Sequence, residues 1–370
     1  MDLIRRRWFP AVPPGSGSPV SGGGGGRGRQ GPAGAPGPGF EPARTLFVAQ
    51  SWPAGVNPAV FFTSIPPALT AAAALTPTIS DPVLVVVFPG TYADPLTLVS
   101  NVHIASFSRR DVLISGATTW APGAGVNAPQ TAANEFIGVV HINFSAPISV
   151  DATAKAADLS TLELRDCGVS GLTHLARPAL LADRAQIFDS ICFGGPISFD
   201  ETNGNIYHSF VLDLTVDGGA TTMQGHQVFG PVSVLAGTLN IDQADVVAPI
   251  TVSAGAFFSS TGSLLASTIT SLAGASVDIR GSEFLSVLAL IGPGPIDRSI
   301  WTLSIPATAA GPNLVGVVPP FSAPIYSVAP IDAAGVGGLP TFSVTGKAAG
   351  AFTLNDPAGG RTVEITLSAL

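Results

Sequence analysis

Five acidic side chains crowd one part of this chain: Asp189, Asp200, Glu201, Asp213 and Asp217. Hydrolysis of a glycosidic bond needs two carboxyl groups ~5 to 9 Å apart, one to protonate the leaving oxygen and one to attack or to activate water. Outward positions on adjacent parallel strands, ~4.8 Å apart, satisfy that spacing. The same residues have a plainer use, because acidic side chains keep exposed strands solvated and discourage sheet edges from pairing with other molecules. The plainer reading is the stronger, and no residue is assigned a catalytic, cofactor-binding or metal-binding role. His226 follows Gly225 at a position expected to face inward, where a histidine is structural. Cys167 and Cys192 are too few for a disulfide scaffold or a thiolate zinc site and read as small buried apolar side chains. Asn143-Phe144-Ser145 matches a glycosylation acceptor, a motif with meaning only on a secreted chain. Phosphate-binding loops, Ser-His-Asp orders and zinc spacings do not occur.

The elements that could position such groups are bounded by composition. Of 370 residues only 11% are charged, against roughly 25% in an ordinary soluble domain. Hydrophobic residues make up 46%, yet 2 Met and 16 Lys+Arg leave little of the vocabulary that helices prefer. With 43 Gly and 33 Pro, strands and turns must dominate. The net charge of −8 disfavours binding to nucleic acid, which needs a cationic surface; Arg5, Arg6, Arg7, Arg27 and Arg29 are local exceptions. No apolar stretch follows the basic start as an export signal would require. The longest apolar runs, such as Val83 to Phe88, are far short of the ~20 residues of a membrane helix. The expectation is a soluble chain without membrane insertion or an obvious N-terminal export route.

Residues 1–43 read as a flexible Gly/Pro-rich arm. Gly28, Gly31, Gly34 and Gly37 are in collagen phase, the spacing that lets three chains meet on one crowded axis. Four triplets do not hold a triple helix alone, but they suit chains already held together elsewhere. Ahead of them, Leu3-Ile4-Arg5-Arg6-Arg7-Trp8-Phe9 is an apolar and basic peptide suited to docking.

From Thr45 onward the chain repeats itself. Turns ending in Gly219, Gly237, Gly255 and Gly274 are separated by 18, 18 and 19 residues. A second motif keeps step: Leu162, Leu164, Asp166, Cys167 and Val169 match Leu239, Ile241, Gln243, Ala244 and Val246, and again Val277, Ile279, Gly281, Ser282 and Phe284. A third is a proline opening a strand, at Pro147, Pro196, Pro231 and Pro249. Three motifs recurring in one order predict a solenoid whose short strands pair with their copies one turn on. In this register Cys192 stacks against Val169 and Cys167 against Ser190, so the two thiols are not expected to pair.

Residues 61–119 carry a family likeness. Ile65 to Leu75 has apolar positions Ile65, Leu69, Ala72 and Leu75 on one helical face. Val83 to Phe88 leads into Pro89-Gly90-Thr91-Tyr92, and Leu96, Leu98, Val102 and Ile104 follow. The segment resembles the opening of pectin-lyase-like right-handed parallel β-helices, of the kind found in viral fibres and tail spikes. The resemblance implies an all-β, single-stranded right-handed parallel β-helix over 44–292 with an N-terminal helical cap. Gly292-Pro293-Gly294-Pro295 breaks the repeat, and longer alternating strands over 296–370 suggest a C-terminal antiparallel β-sandwich similar to terminal domains of phage and viral fibres. Galacturonases of this architecture share Asn-Thr-Asp, Asp-Asp, Gly-His-Gly and Arg-x-Lys signatures. Here only Gly225-His226 survives, with Gln227 in place of the second glycine. Polysaccharide lyases of this architecture need an outward basic residue, whereas residues 204–290 hold no lysine and hardly any arginine, Arg280 being one.

The expected protein is therefore a structural virion fibre or spike. Its arm anchors it to a capsid or other virion protein, and its shaft and terminal domain serve host attachment. A homotrimer is the expected assembly and a host glycan a further partner. The alternatives are a tail-spike-type glycan depolymerase using the acidic cluster, and a secreted adhesin.

Overall fold

The computed structural model describes residues 44–370 apart from 109–110, 131–133, 155–159, 176–183, 226, 285–289, 299–300, 306–307, 318, 324–325, 333–341, 358, 360–361 and 370. The arm at 1–43, with its arginines and collagen-phase glycines, lies outside the described residues, as does His226.

The described chain is all-β and is built around one parallel sheet of 29 strands, coiled as a parallel β-helix. Each turn of the coil contributes a strand to each of three faces. Face A runs through Ser160–Arg165, Arg184–Phe188 and Asn203–Tyr207, face B through Ile142–Phe144, Gly168–Val169 and Gln227–Val228, and face C through Ile148–Asp151, Leu172–Leu175 and Ile250–Val252. Ladder partners lie one turn apart in sequence, as Gly204 with Thr221, Thr221 with Leu239 and Ile250 with Ile269.

Alternation within each strand turns one set of side chains inward, and the ladder stacks them into columns. On face A, Val139, Leu164, Ile187, Ile206, Met223 and Ile241 form one buried column. On face B the column is Val169, Cys192, Val211, Val228, Val246 and Leu265. The register that the repeat predicts for the cysteines is the observed one. Cys192 stands opposite Val169, the Cys167 amide donates to Ser190 Oγ at 3.2 Å, and both thiols are buried and free. A single apolar core runs from Leu46 to Ile296.

The glycine turns fall into two pairs by length, Gly219 with Gly237 and Gly255 with Gly274. A Cβ on Gly237 would collide with the Gly218 and Gly219 backbone, while the Gly255 amide donates to Gly274 O at 2.9 Å. Between the pairs the coil gains one residue, since Val234 faces Val252 but Thr238 faces Phe257.

At the start of the coil, helix α1 (Ile65–Ala74) packs on the strands Thr45–Val48, Val83–Val87 and Leu96–Thr97. Proline at its first positions costs nothing, because those N–H groups have no helical acceptor. Ile65, Ala68, Leu69 and Ala72 are its buried face. Leu75, expected on that face, is exposed instead: it is the C-cap, and its amide bonds to Ala72 O as the chain leaves the helix axis.

The parallel ladder continues past the Gly292–Pro295 break, for Ile296–Asp297 pairs with Val277–Asp278 and Ile296 belongs to the coil's core. Beyond it lie two three-stranded antiparallel sheets, which share a core that includes Val315, Phe352, Leu354, Val363, Ile365 and Leu367. Gly311–Gly316 is a strand that sequence patterning did not suggest. Among the described residues it pairs only with Ala351–Asp356, and Pro312 is tolerated at such a sheet edge.

Candidate functional site

Three corners separate the three faces, and the five acidic residues divide among them. Asp200 and Asp217 are ladder partners at the end of face C. Glu201 follows at the corner, with φ +51°, its amide donating to Asp217 O at 2.9 Å and its carboxylate lying over Gly218. Burial, and then the neighbouring charge of Asp217, push the Asp200 carboxyl above its ordinary value. Asp189 sits at the far end of the face A strand, at the corner into face B, its amide donating to Tyr207 O at 3.0 Å. Asp213 stands at the corner from face B into face C, against Gly230. The five acids therefore form no single cluster. Only Asp200, Glu201 and Asp217 come together, with Asp200 and Asp217 one rung, ~4.8 Å, apart.

Asp189 belongs instead to a line of corner residues that sequence reasoning missed. His141, Asp166, Asp189, His208 and Gln243 all have φ between +46° and +62°, a conformation most side chains avoid. Each amide donates to a carbonyl of the next rung, from His141 to Arg165 O through Gln243 to Thr261 O. Just inside them runs a line of small residues: Ser190 Oγ accepts from the Cys167 amide, Ser209 Oγ from Ser190 (3.1 Å) and Ser263 Oγ from Ala244 (3.2 Å). The legible signal was position, because Asp166, Asp189, His208 and Gln243 each immediately precede the small residue of the second repeat motif.

Along this corner, where Gly225, Gly262 and Gly281 replace larger side chains, a groove opens. One stretch of about 320 Å³ is lined by His208, Phe210, Gln227 and Gln243, and the next, of about 370 Å³, by Gly262, Ser263, Leu264 and Gly281; Asp245 and Gln243 line both. Gln227 donates to Asp245 across the rungs at 3.4 Å.

Between Glu163 and Ser259 the outward side of face A is polar and carries an aromatic stack. The Arg165 guanidinium lies 4.6 Å over the Phe188 ring, which stacks on Tyr207 at 5.1 Å. Beside them Glu163, Gln186, Asn205, Thr222, Asn240 and Ser259 make a ladder of donors and acceptors. Such a face can hold a polar polymer by hydrogen bonds and ring stacking. Asn143, the acceptor of the glycosylation motif, is half-buried within a strand paired on both sides, where its amide oxygen lies against Gly168. Among the described residues no group of three or more His, Cys, Asp or Glu side chains is placed to hold a metal ion, and no helix is long and apolar enough to cross a membrane.

The class defined by these observations is an all-β protein with a large coiled parallel sheet. No protein-family model matches the chain, and no curated protein matches it. Among solved structures it is similar to the tailspike gp61 of Pseudomonas phage phi297, with 12% identity over 77% of this chain and a TM-score of 0.26. This chain spans 66% of the length of that one. It is also similar to the tailspike protein of Acinetobacter phage vB_ApiP_P1 (11% identity, 90% of this chain and 89% of that one, TM-score 0.32). A third is pectin methylesterase PemA from Erwinia chrysanthemi (15% identity, 70% and 81%, TM-score 0.22).

Proposed function

We propose that the chain is a structural fibre or spike of a virion. In this reading residues 44–292 form the right-handed β-helical shaft, α1 caps its first turn, and residues 296–370 form a terminal β-sandwich. The arm at 1–43 anchors it to a capsid or other particle protein, and the outward side of face A meets a host glycan. One observation carries the reading: the ladder of parallel strands runs from Thr45 to Asp297 over a single apolar core, and the five acids form no single cluster on it. That is the build of a stiff spacer. Mass spectrometry of particles purified from the producing culture tests it. The chain is expected in the particle fraction at a constant ratio to the major capsid protein, and its confinement to the soluble lysate would refute the proposal.

The Asp200–Asp217 pair supports a second reading, a glycan depolymerase, because two carboxyl groups one rung apart, with Asp200 raised by burial and by its neighbour, are what a glycosidase acid and its partner require. Release of reducing sugars from host glycans by the full chain, lost in Asp200→Asn, would favour the enzyme over the spacer.

A further inference from the structure

The groove along the corner from face A into face B is continuous, because its two stretches, of about 320 and 370 Å³, share Gln243 and Asp245. From the His208 corner to Gly281 it spans four rung steps, roughly 19 Å. Gln224 and Asp242, ladder partners at the end of face A, flank one side. Phe210, Gln227 and Asp245, successive ladder partners at the start of face B, form the other.

The chemistry of this groove is one-sided. Four successive corner amides are spent on carbonyls of the next rung, His208 on Gln224 O, Gly225 on Asp242 O, Gln243 on Thr261 O and Gly262 on Gly281 O. The Ser209 and Ser263 hydroxyls donate to Tyr207 O and Thr261 O. The side-chain amides of Gln224 and Gln227 donate to Asp242 (3.3 Å) and Asp245 (3.4 Å). What is left for a ligand is chiefly oxygen acceptors and a ring face: Asp242 Oδ1 lies 3.9 Å from where a Cβ on Gly262 would stand, and Phe210, 44% exposed, stacks on Phe229 at 6.4 Å. No Lys or Arg occurs between Arg184 and Arg280 to neutralise the carboxylates, while eight acidic residues do.

We propose that the groove binds a linear aliphatic polyamine, with one ammonium group held by Asp242 and Asp245, the methylene chain lying along the glycine corners, and a second ammonium over the Phe210 ring. Such a ligand brings the donors and the positive charge that the groove lacks, and its thin chain suits a floor without side chains. Spacing agrees, since the Phe210 ring and the Asp245 carboxylate stand two rungs, ~10 Å, apart, within reach of the two ends of an extended triamine. An extended peptide would need N–H groups to bond its own carbonyls, and these corners have spent theirs. A neutral sugar would leave the carboxylates without a counter-charge.

The site goes beyond the spacer reading and is tested on the purified full chain, so the two can fail separately. Isothermal titration with spermidine at low salt is expected to show one site per chain, weakened about fivefold or more at physiological salt. Asp245→Asn, nearly identical in shape, should weaken it about tenfold and Phe210→Leu about threefold. Asp213→Asn, at the other corner of face B, should leave it unchanged. The wild type alone supplies a second check: 1,3-diaminopropane, too short to reach from Asp245 to Phe210, should bind about tenfold more weakly than spermidine. No binding of spermidine, equal affinity for the diamine, or equal losses in Asp213→Asn and Asp245→Asn would overturn the proposal. Displacement of spermidine by an equal concentration of magnesium would also overturn it, in favour of a diffuse counterion site, as would salt-independent binding of maltotriose in its place.

Discussion

Two histidines are held neutral by their surroundings. His174 occupies the inner column of face C between Val150 and Phe199, with Nδ1 on Thr202 Oγ1 at 2.8 Å and no hydrogen-bond partner at Nε2. Burial pushes it down to about 3. His103 accepts from the Gly138 amide at 2.9 Å, packs edge-on against Phe136, and is pushed down to about 4, also by burial. The unfolded chain takes up these protons near pH 6.5 and the folded chain does not, so stability is complete above that pH and falls as pH drops toward 4. Urea titrations between pH 7 and pH 5 should show a slope approaching two protons, ~1.4 kcal/mol per pH unit for each. His174→Leu should remove one of them, and a flat profile in the wild type would contradict the burial of both rings. Little of this was readable in advance. Hydrophobic alternation reveals that a column exists but not that a histidine has entered it. The corner line was hidden for a related reason, because Asp166, Asp189 and His208 are residue types that suggest chemistry, while their backbone shows that they turn the chain.

At the scale of elements, the repeat was the most legible feature, and its spacing hides one difference between turns. Spacings of 18, 18 and 19 suggested equivalent glycine corners, and the ladder shows that the turn from Val252 to Phe257 is one residue longer than the turn from Val234 to Thr238, so Gly237 and Gly255 stand in turns of different length. Sequence spacing records how many residues a turn contains, and only ladder partners say where the addition falls. The difference has an energetic consequence. Gly237 (φ +73°) has backbone pressed against it, whereas Gly255 (φ +80°) has open space where a Cβ would stand. Gly255→Ala should cost only the left-handed strain of ~1–2 kcal/mol. Gly237→Ala must also displace the turn of the preceding rung, and should cost about 2 kcal/mol more. Thermal melts of the two variants check this, and equal midpoints would mean that the corners are equivalent after all. The end of the coil was less legible than its repeat: Gly292-Pro293-Gly294-Pro295 resembles a boundary, but the side chain of Ile296 still fills the core beneath Val277.

The described residues form two cores, one along the coil and one between the terminal sheets, and a short staple ties the end of the first to the second. The last coil strand would present unpaired backbone, an invitation to further pairing. Segment 319–322 covers it: the Ile296 amide donates to Pro320 O at 2.8 Å, and Ser322 donates to both Asp297 carboxylate oxygens. Arg298, fully buried, locks the arrangement by donating to Ile296 O (3.0 Å) and Pro319 O (3.1 Å), with its guanidinium 4.3 Å over the Phe321 ring. Burial lowers its pKa to about 10, so it stays charged at neutral pH while exchanging water for two carbonyls and a ring face. Sequence could not announce this, because a lone arginine beside a proline-rich break looks like surface. Arg298→Ala would leave two carbonyls and a cavity at the junction, a loss of about 2 to 4 kcal/mol. Because the arginine ties the last coil strand to a segment whose Phe321 belongs to the second core, the loss should appear as a change in cooperativity. The wild type is expected to unfold in one calorimetric transition, and Arg298→Ala in two, the terminal sheets melting first while parallel-sheet circular dichroism persists. Hydrogen exchange at Ile296 and Phe321 should accelerate in the variant before exchange in the coil does. A single transition lowered as a whole would mean that the two cores are coupled through more than this staple.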